Sequence, residues 1–215
     1  MTDSTVRRPA APQEGSRRSQ QGILRAGFAV LEGGGVDALT VAAVAERAGV
    51  AVGSIYRHFG DKEGLLYAIQ HAFTDMLRAE IAERVSAERL RTFPDPADEV
   101  AEAVGAIVDA FRTHEHLLGV FLLLGTRHEA VKTLGSRVSV EGNHRFVEAL
   151  GHISIAHSDR AAALDFAYRL VYAAVAHRAT QGEFLESDRP LPWTELRKQL
   201  QAAVIAYLLG APEGH

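Results

Sequence analysis

Residues 39–66 read LTVAAVAERAGVAVGSIYRHFGDKEGLL and contain two short helical segments. Thr40 is placed to cap the first segment, which stops at Gly49, and the second segment covers Val52–Phe59. Gly60 and Asp61 end the pair, and Asp61 suits the cap position of the helix that follows. Two short helices joined by a tight glycine turn are typical of a helix-turn-helix, whose second helix fits the major groove of DNA.

The apolar residues of this stretch are those that a compact helix pair requires. Ala45, Ala48 and Gly49 are small enough to let the two helices cross closely. Ile55 and Phe59 share one side of the second helix and anchor it from behind. The other sides of that helix are therefore left for a partner.

A further helix is predicted before the pair. Apolar residues recur at helical spacing from Ser16 to the run Gly33–Gly35, at Ile23, Leu24, Gly27, Phe28 and Leu31. Because Gly33–Gly35 follows a helix and not a strand, it predicts a flexible connection and not a phosphate-binding loop. Residues 1–15 lack periodicity and predict a disordered tail. We expect a three-helix DNA-binding domain over residues 16–62.

The rest of the chain is also predicted to be helical. The seven prolines leave two long proline-free stretches, and strand-like alternation is nearly absent. Helices are predicted from residue 62 to about 91 and near 97–113, 115–125, 129–152, 158–182 and 193–209. The fold class is therefore all-α with about nine helices, an N-terminal helix-turn-helix domain being followed by a C-terminal helical bundle over 63–215.

Charge is distributed unevenly along the chain, whose formal net charge is −4. Residues 1–62 hold eight Lys/Arg against six Asp/Glu, a net charge of +2. Residues 63–215 hold fifteen against twenty-one, a net charge of −6. A basic N-terminal part on an acidic body predicts that only the N-terminal part is drawn to phosphate.

Several classes of protein are excluded by composition. The chain has no cysteine, which excludes disulfide scaffolds and thiolate chemistry and fits a reducing compartment. The longest apolar run lies within Leu117–Gly125, too short for a bilayer span, and no apolar stretch accompanies the N-terminal arginines as in a secretory signal. The ten histidines show no metal-binding spacing such as HExxH. We expect a cytoplasmic protein without metal or cofactor and without a membrane partner.

A specific pattern of residues lies between positions 17 and 77: Ile23-Leu24, Leu39-Thr40-Val41, Val44-Ala45, Ala48-Gly49-Val50, Gly53-Ser54-Ile55-Tyr56, His58-Phe59, Asp61-Lys62-Glu63 and Leu65-Leu66. In order and spacing, these residues closely resemble the DNA-binding domain of the TetR family of bacterial transcriptional regulators. Residues 63–215 resemble that family in length and helical character. The resemblance implies that 63–215 form a regulatory, ligand-binding and dimerisation domain.

The resemblance also implies roles in DNA binding. Four residues match family positions that hold the DNA backbone: Thr40, Tyr56, His58 and Lys62. Four others match the variable, base-reading positions of the recognition helix: Val52, Gly53, Ser54 and Arg57. An arginine can address guanine bidentately, although it can equally hold a phosphate. The family usually has Ser or Thr at position 51, whereas Ala51 here has no side-chain acceptor to cap the recognition helix.

Two further sets of residues are predicted in the C-terminal domain. Each aromatic residue of the first set, taken alone, is more often part of the core, but together the set could line a largely apolar effector pocket, with Arg145 as a further polar partner. The members of this set are Phe73, Met76, Leu77, Phe111, His114, Phe121, Asn143, Phe146, Tyr168 and Tyr172. The second set forms two apolar stripes in which residues follow one another at intervals of four, three and four: Leu164, Tyr168, Val171 and Val175, and Leu196, Leu200, Ala203 and Tyr207. Such stripes suit helix packing within one chain or between two, and we assign them to a homodimer interface.

The expected function is that of a TetR-like regulator, a repressor that binds a palindromic operator on double-stranded DNA as a homodimer and is released by a small apolar effector. No catalytic constellation is visible in the sequence, so an enzyme is not expected. Two alternatives stay open. One is a small-molecule-binding or enzymatic helical protein whose DNA-binding domain is vestigial. The other is a DNA-bound organiser that acts through protein contacts.

Overall fold

The computed structural model describes residues 11–184 and 187–210, and every regular element in those ranges is a helix. There are ten helices in this described part of the chain: α1 Ala11–Ala38, α2 Val41–Ala48, α3 Val52–Phe59, α4 Lys62–Arg84, α5 Ala87–Leu90, α6 Pro96–Thr113, α7 Glu115–Gly125, α8 Glu129–Leu150, α9 Arg160–Gln181 and α10 Trp193–Leu209. The all-α prediction is confirmed, and the single turn α5 is the helix that the sequence did not predict.

The chain divides into two compact units, Met1–Ala72 and Phe73–His215. The division falls inside α4 and not at its start, where the sequence placed the domain boundary. The reason is that Leu65 and Ile69, in the first turns of α4, are fully buried in the first unit. These turns complete the core that α1, α2 and α3 begin.

Local capping chemistry sets the ends of α2 and α3. Thr40 Oγ1 accepts a hydrogen bond of 3.0 Å from the Ala43 N–H and begins α2. Gly49 ends it with φ 65°, and its N–H donates to the Ala45 carbonyl. Ala51 stands at the start of α3 without a side-chain cap, as the sequence predicts. Asp61 Oδ1 accepts a 2.7 Å bond from the Gly64 N–H at the start of α4.

The second unit is built around α6. That helix begins with Pro96 behind the cap Asp95, whose Oδ1 accepts from the Ala97 N–H at 2.8 Å. It packs against α9 and α10, while α7 packs against α8 and α9. Val104 and Phe111 of α6 are buried in the core between these helices. α6 therefore has few exposed residues.

Three predicted boundaries differ from the structure. The predicted tail extends too far, because α1 begins at Ala11 and includes Glu14 in its first turn, where an acidic side chain is favourable; residues 1–10 lie outside the described residues. α1 also continues past the glycine run to Ala38, with a kink at Gly35, whose φ is 63°. The long helix predicted to about residue 91 ends at Arg84, because Ser86 has extended backbone and caps α5.

None of the helices in the described ranges combines the length and the hydropathy that a bilayer-spanning segment needs.

Candidate nucleic-acid interface

Helix α3 has one buried side, and its other residues are exposed or half-buried. Ile55 is fully buried and fixes the helix against the first unit, and Phe59 is half-buried one turn later. Val52 is 42% exposed and Tyr56 is 51% exposed. Both side chains lie on the side of α3 away from Ile55, where they are accessible to a binding partner.

On its exposed side, α3 has a glycine, where a partner can approach the backbone closely, and an arginine, whose long side chain carries hydrogen-bond donors. A Cβ added to Gly53 would meet nothing within 4 Å, so the backbone there is open to solvent. Arg57 is exposed, and one of its guanidinium nitrogens makes a 3.4 Å bond to Ser54 Oγ, one turn before it. A bond of that length holds the arginine weakly. Its remaining N–H groups are free to form the fork that guanine accepts.

Further candidate phosphate donors lie at the starts of α2 and α4 and within α3 itself. The Thr40 hydroxyl caps α2 by accepting, which leaves its own hydrogen for a phosphate oxygen. Lys62 is the first residue of α4 and is exposed. His58 is half-buried, and its ring centroid lies 5.9 Å from that of Phe59. These groups are the donors that a phosphate backbone requires, and all of them belong to the first unit.

The positive charge of this surface is local. Arg47, Arg57 and Lys62 are exposed on α2, α3 and α4, and Asp61 and Glu63 are exposed beside Lys62. Glu46 is also exposed, beside Arg47 on α2, so the excess of positive charge on these two helices lies on α3, at Arg57.

Comparison with known proteins agrees with this geometry. The family model for bacterial regulatory proteins of the tetR family matches residues 23–69, which contain all of α2 and α3, the last part of α1 and the first turns of α4. The N-terminal domain belongs to the TetR family.

Curated relatives match about half of the chain. HTH-type transcriptional regulator BetI of Stenotrophomonas maltophilia is 33% identical over 114 residues, which are 53% of this chain and 55% of that protein. BetI of Burkholderia cenocepacia is 33% identical over 94 residues, 43% of this chain and 45% of that protein. The chain therefore spans about half the length of the curated relatives it matches.

Solved structures share the fold over most of the chain. A TetR-family regulator from Mesorhizobium loti superposes with a TM-score of 0.71 at 17% identity and covers 89% of this chain and 96% of its own. A transcriptional regulator from Rhodococcus sp. has a TM-score of 0.69 at 20% identity and covers 90% and 100%. The fatty acid degradation regulator FadR of Bacillus halodurans has a TM-score of 0.64 at 17% identity and covers 87% and 94%. The fold of the second unit is thus also that of TetR-family structures.

The predicted effector residues lie in the second unit, mostly in two aromatic clusters. Phe73 stacks on Phe121 at 5.5 Å between centroids and meets the His114 ring edge-on at 5.7 Å. The second cluster joins α6, α8 and α9, with these members: Phe111, Phe146, Tyr168 and Tyr172. Leu77 is buried as well. The residues therefore form two aromatic groups, one on α4 and α7 together with His114, and the other on α6, α8 and α9.

Three of the predicted pocket residues do not face the interior. Met76 is 41% exposed and lies outside the buried aromatic clusters, so its place in an apolar pocket stays a prediction. Arg145 is exposed. Asn143 is half-buried, and its amide donates a 2.6 Å bond to Asp165 Oδ1 on α9. Together with a bond from Arg169, this contact lowers the pKa of the Asp165 carboxyl. Asn143 therefore joins α8 to α9.

Burial corrects most of the predicted dimer interface. Six of the eight residues are buried inside the chain's own second unit: Leu164, Tyr168, Val171, Val175, Leu196 and Leu200. Of the other two, Ala203 is exposed and Tyr207 is half-buried. The same spacing serves packing within one chain or between two, and here it serves the former. A different side of α9 is open, where Phe166 is 50% exposed and Leu170 is 36% exposed.

Two polar clusters of the second unit were missed. Glu115 on α7 accepts from Arg178 at 2.6 Å and from the Trp193 indole N–H at 2.8 Å. Asp109 on α6 accepts from Arg197 on α10, 88 residues away in sequence. No local spacing signals a contact of that separation. Among the described residues, no three His, Asp or Glu side chains are grouped so as to hold a metal ion.

Proposed function

We propose that this protein is a DNA-binding transcriptional regulator. The observation that carries the proposal is the exposure of Val52, Tyr56 and Arg57 on α3 while Ile55 anchors the helix from behind, within residues 23–69 that match the TetR family. A helix exposed in this way, with donors at the starts of α2 and α4, has the arrangement that lets a recognition helix enter the major groove.

The proposed mode of action is repression by a homodimer at a palindromic operator. A two-fold dimer would place two copies of α3 in successive major grooves about 34–36 Å apart. The exposed side of α9 supports a revised dimer face formed by Phe166 and Leu170, joined by Tyr207 of α10, whose ring centroid lies 5.2 Å from that of Phe166. Aromatic side chains exposed in one patch are typical of surfaces that a partner covers.

The proposed effector is a small, largely apolar molecule that binds among the aromatic clusters of the second unit. Binding there would favour a dimer state whose α3 separation no longer fits one DNA turn, and the operator would be released. The proposal requires no catalysis, in keeping with relatives that are named as transcriptional regulators. A regulator of this kind acts where the chromosome is, so we place it in the cytoplasm.

The test is binding of the purified full chain to DNA from immediately upstream of its own gene, compared with scrambled DNA of the same length. Fluorescence anisotropy across a salt series is expected to show a steep loss of affinity with salt and at least a thousandfold preference for the natural site. Two protomers per site, by light scattering of the complex, are expected. Equal and weak binding to both DNAs, repeated on a genome-wide pull-down of fragments, would contradict the proposal.

A further inference from the structure

A cavity of about 300 Å³ opens between α6 and α10 in the second unit. Asp109 and Arg112 line it from α6, and Arg197 and Lys198 line it from the first turns of α10. This cavity lies apart from the two aromatic clusters, whose members do not line it. Its volume is at the lower end of the range for small-molecule sites, so it suits a compact ligand.

The charges in the cavity do not cancel. Asp109 forms ion pairs with Arg197 at 3.1 Å, with Arg112 at 3.5 Å and with Arg84 at 3.0 Å. Arg84 is already occupied, because it binds Glu102 through two further bonds of 2.9 and 3.1 Å. These contacts raise the pKa of the Arg84 guanidinium. One carboxylate is therefore shared among three arginines.

The lining itself holds three cations against one anion. Arg112 is 48% exposed and Arg197 is 36% exposed, so both keep N–H groups open to the cavity. Lys198 is exposed, and it takes part in none of the ion pairs found among the described residues. This local excess of +2 stands out because residues 63–215 carry a net charge of −6. Guanidinium forks match the oxygens of phosphates and carboxylates.

The remaining wall is fixed and partly apolar. Trp193 lines the cavity, and its indole N–H is held by Glu115 at 2.8 Å while the Arg178 guanidinium lies 4.9 Å from its ring centre. Thr194 adds a hydroxyl to the lining. Because Trp193 is held by two neighbours, its ring is a rigid wall beside the cations.

We propose that this cavity binds a small dianion, a phosphomonoester or a dicarboxylate, between Arg112, Arg197 and Lys198. The two negative charges match the excess of +2. The side chains bind the dianion by charge-assisted hydrogen bonds. Its affinity falls as ionic strength rises, because the site is open to solvent. The site is independent of the DNA-binding surface, so its test does not depend on an operator.

Trp193 is the only tryptophan of the chain, so its fluorescence reports on this cavity. The full-length protein is titrated at constant ionic strength and slightly alkaline pH with inorganic phosphate, and in parallel with succinate. Potassium chloride is the reference. A saturable change in emission with at least one dianion, with one site per chain by calorimetry, is expected. The anion that binds more tightly identifies the phosphate or the carboxylate as the ligand group.

The double variant Arg112→Gln/Lys198→Gln removes two cations and leaves the Arg197–Asp109 pair in place. Its affinity for the dianion is expected to fall by about tenfold or more. Lys132→Gln is the matched control, because Lys132 is 60% exposed on α8 and its loss should leave affinity unchanged. Circular dichroism verifies that all variants are folded. Absence of saturation with both dianions, or an equal loss of affinity in Lys132→Gln, would overturn the proposal.

Discussion

Gly27 of α1 lies directly against Ile69 of α4, so that a Cβ added to Gly27 would overlap the Ile69 Cδ1 and Cγ1 atoms. Ile69 is fully buried and has little room to move. The first unit therefore depends on a missing side chain for the packing of two of its helices. We expect Gly27→Ala to lower the free energy of unfolding by about 1–3 kcal/mol, measured by urea denaturation.

Gly22 provides the matched control for this substitution, because it lies in the same helix and a Cβ there would meet nothing within 4 Å. Gly22→Ala is expected to stabilise the protein by roughly 0.5–1 kcal/mol, since alanine is the better helix former. The double variant Gly27→Ala/Ile69→Val should recover part of the loss. Equal effects of Gly22→Ala and Gly27→Ala would contradict the packing explanation.

Ala51 begins α3 with φ −67° and ψ 143°, the extended backbone that a capping residue adopts, but it lacks a side-chain acceptor. Ala51→Ser supplies that acceptor without changing the backbone. We expect the free energy of unfolding to rise by about 0.5–2 kcal/mol, seen as a higher urea midpoint. Ala51→Val is the control, because valine adds volume but no acceptor. If serine gained nothing over valine, capping would not limit the stability of α3.

These local features explain how much of the fold could be predicted. The bounds of α2 and α3 are those expected from Thr40 and Gly49, because capping depends on residues within one turn. The contacts that side chains make in the second unit could not be predicted in the same way. The stripe containing Leu164 and Val171 has the spacing of any buried helix face, and only burial shows that it packs inside the chain. The contact of Asp109 with Arg197 depends on tertiary packing alone.

The burial of Tyr168 predicts a loss of stability at alkaline pH. Burial raises the pKa of its phenol from an ordinary value of 10.0 to about 12, although a hydrogen bond with Ser139 opposes the shift. Because the unfolded chain releases this proton first, the stabilising contribution is complete below pH 10 and is lost as pH rises through 12. The slope from this one proton is at most about 1.4 kcal/mol per pH unit.

Tyr168→Phe isolates this contribution, because other groups also titrate in the same range. The variant is expected to lose stability less steeply than the parent between pH 10 and 12, as measured by urea denaturation at closely spaced pH values. Tyr56→Phe is the control, since Tyr56 is 51% exposed. Parallel stability curves for Tyr168→Phe and the parent protein would show that burial does not shift this pKa.

Phe166 and Leu170 on α9 allow the proposed dimer face to be tested. Phe166→Glu/Leu170→Glu places two carboxylates in a surface that the proposal covers with a second copy. Burying unpaired charge is costly, so the variant is expected to be monomeric by light scattering at concentrations where the parent is dimeric. Leu123→Glu on α7 is the control, since Leu123 is 53% exposed on another helix. If the double variant were still dimeric, the dimer interface would not be formed by Phe166 and Leu170.

Arg57 and Lys62 separate base reading from backbone binding. Arg57 projects from the exposed side of α3, whereas Lys62 lies at the start of α4, where a phosphate is the natural partner. Arg57→Ala is expected to cost about 1–3 kcal/mol on the natural site and to relax selectivity at one base position. Lys62→Ala should weaken binding to all sequences similarly and reduce the salt slope by about 1. Both are measured by anisotropy on the natural site, single-base variants and scrambled DNA. If Arg57→Ala lost affinity equally on all of these DNAs, Arg57 would be a phosphate contact and base reading would rest on Val52, Gly53 and Ser54.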